Sequence, residues 1–151
     1  IRMRTFSKAY GMAGLRVGYA IGEKELILNF EKIRNHFGMS RVSQVGALAA
    51  LEDNEFISKV VNKVALTRSR IADIATRNNC KFIPSFTNFV AIDCLNDSKF
   101  AKRVLDNLIN KGVFVRMPYS FPQNRCIRVT VGLDKDIDLF EKYFPIAIKE
   151  S

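Results

Sequence analysis

Residues 5–19 read Thr-Phe-Ser-Lys-Ala-Tyr-Gly-Met-Ala-Gly-Leu-Arg-Val-Gly-Tyr, and they gather side chains suited to holding and activating a small anionic molecule. Lys8 ends a strand-like run, Gly11 and Gly14 let backbone approach a ligand closely, and Arg16 stands at the mouth of the next apolar run. The Ser7 hydroxyl and the planar fork of Arg16 are the pair one would choose to hold a phosphate. A lysine beside such a positive group is easier to deprotonate, which a Schiff-base nucleophile requires. On spacing alone, a surface lysine and arginine flanking a turn account for the pattern equally well.

Composition narrows the other chemistries. His36 is the one histidine, so Ser-His-Asp and Cys-His catalysis would have to run through it, and a His-rich metal site is excluded; no metal is expected. Cys80, Cys94 and Cys126 are far apart and odd in number, which fits reduced, buried thiols. The net charge of +9 permits nucleic-acid binding, but the basic residues are spread along the chain and interleaved with acids, as in Glu31-Lys32 and Asp134-Lys135-Asp136. A solvated surface is the better reading, with no nucleic acid as partner. No apolar run approaches the ~18 residues needed to cross a bilayer, and the opening Ile-Arg-Met-Arg-Thr lacks the apolar stretch of a secretory signal, so no membrane is expected and a cytosolic location is the default.

These residues need elements to position them. Arg2–Phe6 alternates like a strand and runs at once into the glycine-containing turn, so residues upstream are expected to be missing. Leu15–Ile21 reads as a second strand. From Glu23, the spacing of Leu26, Phe30, Ile33 and Phe37 predicts a helix stopped by Gly38. Val42–Leu51 is rich in small residues that suit a helix packed on a sheet, and a long amphipathic helix follows over 54–79. Beyond it, Lys81–Pro84, Asn88–Cys94, Val113–Met117 and Cys126–Val131 read as strands, with helices at Ser98–Lys111 and Asp134–Lys149. That order predicts a compact α+β unit with a largely antiparallel or mixed sheet.

The run Ser-Lys-Ala-Tyr-Gly-Met-Ala-Gly-Leu-Arg-Val-Gly-Tyr resembles the cofactor-lysine signature of fold-type-I pyridoxal-phosphate-dependent aminotransferases, and among them is most similar to the histidinol-phosphate aminotransferase group. The likeness returns in Pro84-Ser85-Phe86-Thr87-Asn88-Phe89 and in Cys126-Ile127-Arg128-Val129-Thr130-Val131-Gly132. It implies an α/β chain: 1–60 as the remnant of a large cofactor-binding domain, 61–80 as a connecting long helix, and 81–151 as a small α+β C-terminal domain. It implies pyridoxal 5'-phosphate as cofactor, an amino acid and a 2-oxo acid as substrates, and a homodimer as the complete subunit's assembly. Lys8 would carry the cofactor as a Schiff base and move a proton at the substrate Cα. Ser7 and Arg16 would bind the cofactor phosphate, Arg128 the substrate α-carboxylate, and Arg116 the substrate's distal group, with Asn88 near the site. Arg116 is as readily a surface arginine at a sheet end, and Asn88 nearly as readily a strand-end cap.

The segment His36-Phe37-Gly38-Met39-Ser40-Arg41 departs from that group: Phe37 stands near a point where a tyrosine can help hold substrate phosphate, and a phenyl ring cannot donate that hydrogen bond. Aromatic amino acids or a broad range of donors are therefore open as substrates. In the family, the aspartate facing the pyridine nitrogen, the ring-stacking aromatic and a glycine-rich phosphate loop all precede the lysine strand, so the chain alone is expected to be inactive. Two other readings are a decarboxylase of phosphorylated amino acids, which uses the same lysine and phosphate grip, and a non-enzymatic cationic binding module.

Overall fold

A computed structural model describes all of residues 1–151. They form two compact units, Ile1–Asn62 and Lys63–Ser151.

In the first unit, strands β1 (Arg2–Thr5) and β2 (Gly18–Ile21) pair antiparallel from Arg2↔Ile21 to Thr5↔Gly18. Glycine is required at 18, where a Cβ would lie 2.7 Å from the Arg4 carbonyl oxygen. The strand expected over Leu15–Ile21 is shorter than its apolar run. Ala13–Leu15 winds into a 3-10 turn and Arg16 adopts a left-handed conformation (φ 50°), which delays pairing until Val17. Helix α1 (Lys24–Glu31) also stops before the expected Gly38. The Asn35 side chain accepts from the Phe37 N–H, a local bond that competes with helix, and Ile33 and Phe37 are left exposed. Helix α2 (Arg41–Glu52) is capped by Ser40, whose hydroxyl accepts from the Ser43 N–H at 3.0 Å. A small core of Phe6, Val17 and Ala47, flanked by Tyr10, Met12, Leu15 and Ala50, packs α2 onto the loop between the strands. Val42, Val45 and Leu48 of the same helix are exposed.

Helix α3 (Asn54–Arg77) spans the division between the units. The second unit holds a three-stranded antiparallel sheet ordered β3 (Lys81–Ile83), β4 (Phe89–Asp93) and β5 (Cys126–Thr130), with helices α4 (Ser98–Asn110) and α5 (Asp134–Lys149). Alternation along the strands sends Val90, Ile92, Ile127 and Val129 into one core with Ile71, Ile74, Val104, Leu108, Phe140 and Phe144 from the helices. Phe89, Ala91 and Arg128 occupy the alternate positions, on the sheet's other face. The strand expected over Val113–Met117 reduces to one bridge, Arg116↔Arg128. Val113 gives its N–H to the Leu108 carbonyl at the end of α4, and Pro118 has no N–H to give, so the segment cannot extend a ladder in either direction.

Helices α3 and α5 are tied at the surface by charge. Arg70 bonds Asp138 and Glu141, and Arg77 bonds Glu141 as well. Hydrogen bonds from Arg70 and then Arg77 hold the Glu141 carboxyl below its ordinary value of 4.5. A carboxyl depressed in the folded state adds stability above its unfolded value and loses that contribution as pH falls through the folded one. Glu141→Gln should therefore destabilise the chain near neutrality and make no difference in acid. Urea midpoints of the variant and the parent should converge as pH drops from about 7 to about 3; a constant gap would assign the loss to packing instead.

Candidate active site

The β1–β2 register decides where the lysine motif goes. Beyond Thr5↔Gly18, the Phe6 N–H donates to the Val17 carbonyl at 3.3 Å, so the ladder runs one pair further. Ser7 and Arg16 are next in each direction, and Lys8 follows Ser7. All three therefore sit at one end of the hairpin, on its connecting loop. Thr5 orders the first of them: its hydroxyl accepts from the Ser7 N–H at 3.1 Å and donates to Ser7 Oγ at 2.9 Å. Phe6 and Val17 are buried on either side and anchor the loop in the core.

The loop between is tightly bonded. Gly11, at φ 68°, donates its N–H to the Lys8 carbonyl at 2.9 Å, and Met12 donates to the Phe6 carbonyl at 3.0 Å. Gly11 is thus needed for the turn, whereas Gly14 faces open space. Arg16 carries a side chain in a conformation that costs a non-glycine residue roughly 1–2 kcal/mol, and its guanidinium folds back to donate to the Ala13 carbonyl at 2.7 Å. Ser43 supports this turn from α2: buried, it donates to the Leu15 carbonyl at 2.7 Å and shares a hydrogen bond with Ser40 Oγ at 2.8 Å. Lys8 itself is exposed. Tyr19 packs against Phe6, ring centres 5.7 Å apart.

In the second unit, Arg116 and Arg128 form a mutually hydrogen-bonded backbone pair, Arg116 N to Arg128 O at 3.1 Å and the reverse bond at 2.6 Å. Directly opposed residues of an antiparallel pair project to the same face. Both arginines line an open cleft of about 980 Å³, with Tyr119, Asn124, and Lys99 and Lys102 of α4. No carboxylate lines it. The Arg128 guanidinium lies over the Phe89 ring at 4.9 Å, and its Nε is buried without a hydrogen-bond partner. An orphaned donor on a charged group is costly unless an acceptor arrives. The lining thus offers positive charge and one unpaired donor, a chemistry suited to an anion. Asn88 does not line it; its carbonyl accepts from the Val131 N–H at 2.9 Å and prolongs the β4–β5 pairing, while the next residue, Phe89, carries Arg128.

Three supporting residues escaped the sequence reading. Thr5 had a signal, a hydroxyl two residues before Ser7. Ser43 had none, because its partner lies 28 residues away. Phe89 was visible only as a strand residue, since its pairing with Arg128 is diagonal across two strands.

The family model for aminotransferase class I and II matches residues 1–139. The chain is 39% identical over 132 residues to the histidinol-phosphate aminotransferase of Aliarcobacter butzleri, and 41% identical over 130 residues to that of Bacillus velezensis. These alignments take in 87% and 86% of this chain but only 35% of each relative, so the chain spans about a third of their length. Among solved structures, the histidinol-phosphate aminotransferase from Sinorhizobium meliloti in complex with pyridoxal-5'-phosphate is matched with a TM-score of 0.92 at 45% identity, over 99% of this chain and 41% of that one.

Replacing Ser43 with alanine removes the part-buried hydrogen bond to the Leu15 carbonyl, a loss of about 1 kcal/mol. Hydrogen exchange should then quicken at the loop amides of Gly11, Met12 and Leu15 while those of β4 and β5 stay unchanged. Equal acceleration throughout would show that Ser43 supports the fold generally rather than this loop.

Proposed function

Because the chain belongs to the class I and II aminotransferase family, we propose that it is part of a pyridoxal-phosphate-dependent aminotransferase. The proposed enzyme is a cytoplasmic homodimer that moves the amino group of an amino acid or amino-alcohol phosphate to a 2-oxo acid. The observation that carries this reading is the hairpin register, which sets Ser7, Lys8 and Arg16 at one end of a braced loop. When bound, the cofactor supplies an electron sink for the carbanion left at the substrate Cα.

The residues divide that work by their chemistry. Lys8 Nζ, exposed at the loop, holds the cofactor aldehyde and accepts the proton from the substrate Cα. Ser7 Oγ, oriented by Thr5, and the Arg16 guanidinium grip the phosphate. The left-handed backbone of Arg16 supports this role, because a residue held in a costly conformation is commonly found at a ligand site. Arg128 takes the substrate α-carboxylate: its fork matches a carboxylate, Phe89 fixes its plane, and its Nε lacks an acceptor. Arg116, on the same face of the same cleft, takes a distal anionic group of the substrate. Phe37 is exposed, and its phenyl ring has no hydrogen bond to offer a substrate phosphate.

Kinetics of the complete subunit test the assignments. Lys8→Ala should abolish transamination. Arg128→Ala should lower kcat/KM by about 10- to 150-fold, the equivalent of the roughly 1.5–3 kcal/mol typical of a hydrogen bond to a charged group. The 151-residue chain, supplied with pyridoxal phosphate, should show no sustained turnover. Formation of a 2-oxo acid from the donor supports transamination, carbon dioxide release in its place would assign decarboxylation, and a fully active Lys8→Ala subunit would end the proposal.

A further inference from the structure

The three cysteines have no part in the proposed chemistry, yet the sheet sorts them by face. Lys81 opposes Asp93 across β3 and β4, so the antiparallel register carried one residue outward sets Cys80 opposite Cys94. Cys94 continues the alternation of Val90 and Ile92, and both Cys80 and Cys94 belong to the main core. Cys126 opposes Asp93 on β5, one step out of phase, and is buried without joining that core. Residues directly opposed in an antiparallel pair have Cα atoms about 4.5–5.5 Å apart. A disulfide spans about 4.4–6.8 Å, so this pairing suits one without movement of the backbone.

We propose that Cys80 and Cys94 are a peroxide-sensitive dithiol that closes into an intramolecular disulfide. All three cysteines are free thiols, and this pair is only 8% and 7% exposed, so the oxidant must be small, hydrogen peroxide rather than a bulky disulfide. Cys80 lies at the edge of the sheet, between Asn79, whose φ of 57° ends the turn below α3, and β3, which has one neighbour.

The chemistry balances within the pair and peroxide. The Cys80 thiolate attacks one peroxide oxygen, the O–O bond breaks, and the departing hydroxide takes up a proton to give water and a sulfenic acid. The Cys94 sulfur then attacks the Cys80 sulfur, the S–O bond breaks, and the hydroxide leaves with the Cys94 proton as a second water. Two thiols are oxidised by two electrons and one peroxide is reduced to two waters. The neighbouring Cys94 thiol lowers Cys80 despite its burial, which favours the Cys80 thiolate, while the Cys80 thiol and burial raise Cys94.

Tryptic cleavage after Arg77, Lys81, Lys99, Arg125 and Arg128 puts each cysteine in its own peptide. The native 151-residue chain is treated with hydrogen peroxide, remaining thiols are alkylated in denaturant, and the unreduced digest is read by mass spectrometry. The expected product joins peptide 78–81 to peptide 82–99 at two hydrogens below their summed mass, with peptide 126–128 recovered in alkylated form. Cys126→Ser should leave that product unchanged, and the same treatment in concentrated urea should form it more slowly. Links to Cys126, links only between chains, three fully alkylated cysteines, or equal rates with and without urea would each overturn the proposal.

Discussion

The antiparallel pairing of β1 with β2 is the constraint on which the candidate site depends. A loop that carries a lysine, a hydroxyl and a guanidinium is chemically useful only if its two ends are brought together, and the ladder from Arg2↔Ile21 to the Phe6–Val17 bond does this. Gly18 permits the close approach to Arg4, Gly11 permits the turn, and Phe6 and Val17 sink both loop ends into the core against Ala47. Ser43 then fixes the far side of the loop. The strain held at Arg16 is tolerable because so many neighbouring bonds leave the loop no relaxed alternative.

The second unit solves a different problem with the same alternation of side chains. Residues of β4 and β5 that face the helices build an apolar core, and the intervening positions place Arg128 over Phe89. Arg116 joins from a segment that pairs at a single bridge, so one guanidinium stands on a sheet strand and the other on its irregular neighbour. Helices α3 and α5 brace this layer through Phe140, Phe144 and the surface network around Glu141.

Much of this was legible in the residues. The long amphipathic stretch became α3 with its start at Asn54, and Asp134–Lys149 became α5 despite Pro145 inside it. The catalytic-looking motif was legible because its residues are neighbours in sequence. What could not be read had non-local causes. Ile33 and Phe37 keep helical spacing yet lie outside α1, where the Asn35 side chain captures the Phe37 N–H. Val113–Met117 has strand composition, but Val113 gives its N–H to the end of α4 and the pairing with β5 is a single bridge at Arg116. The support given by Ser43 and Phe89 depends on packing between elements, which spacing does not encode. Phe37, expected to close the helix, instead lies almost wholly exposed in the segment after it.

The proposed enzyme depends on Lys8 as the point of attachment for its cofactor. Borohydride reduction of the complete subunit in the presence of pyridoxal phosphate, followed by peptide mapping, tests it most directly. The reduced pyridoxyl group is expected on Lys8, with labelling weakened by Arg16→Ala through the lost phosphate grip. Stable labelling of a different lysine, with Lys8 recovered unmodified, would contradict that attachment.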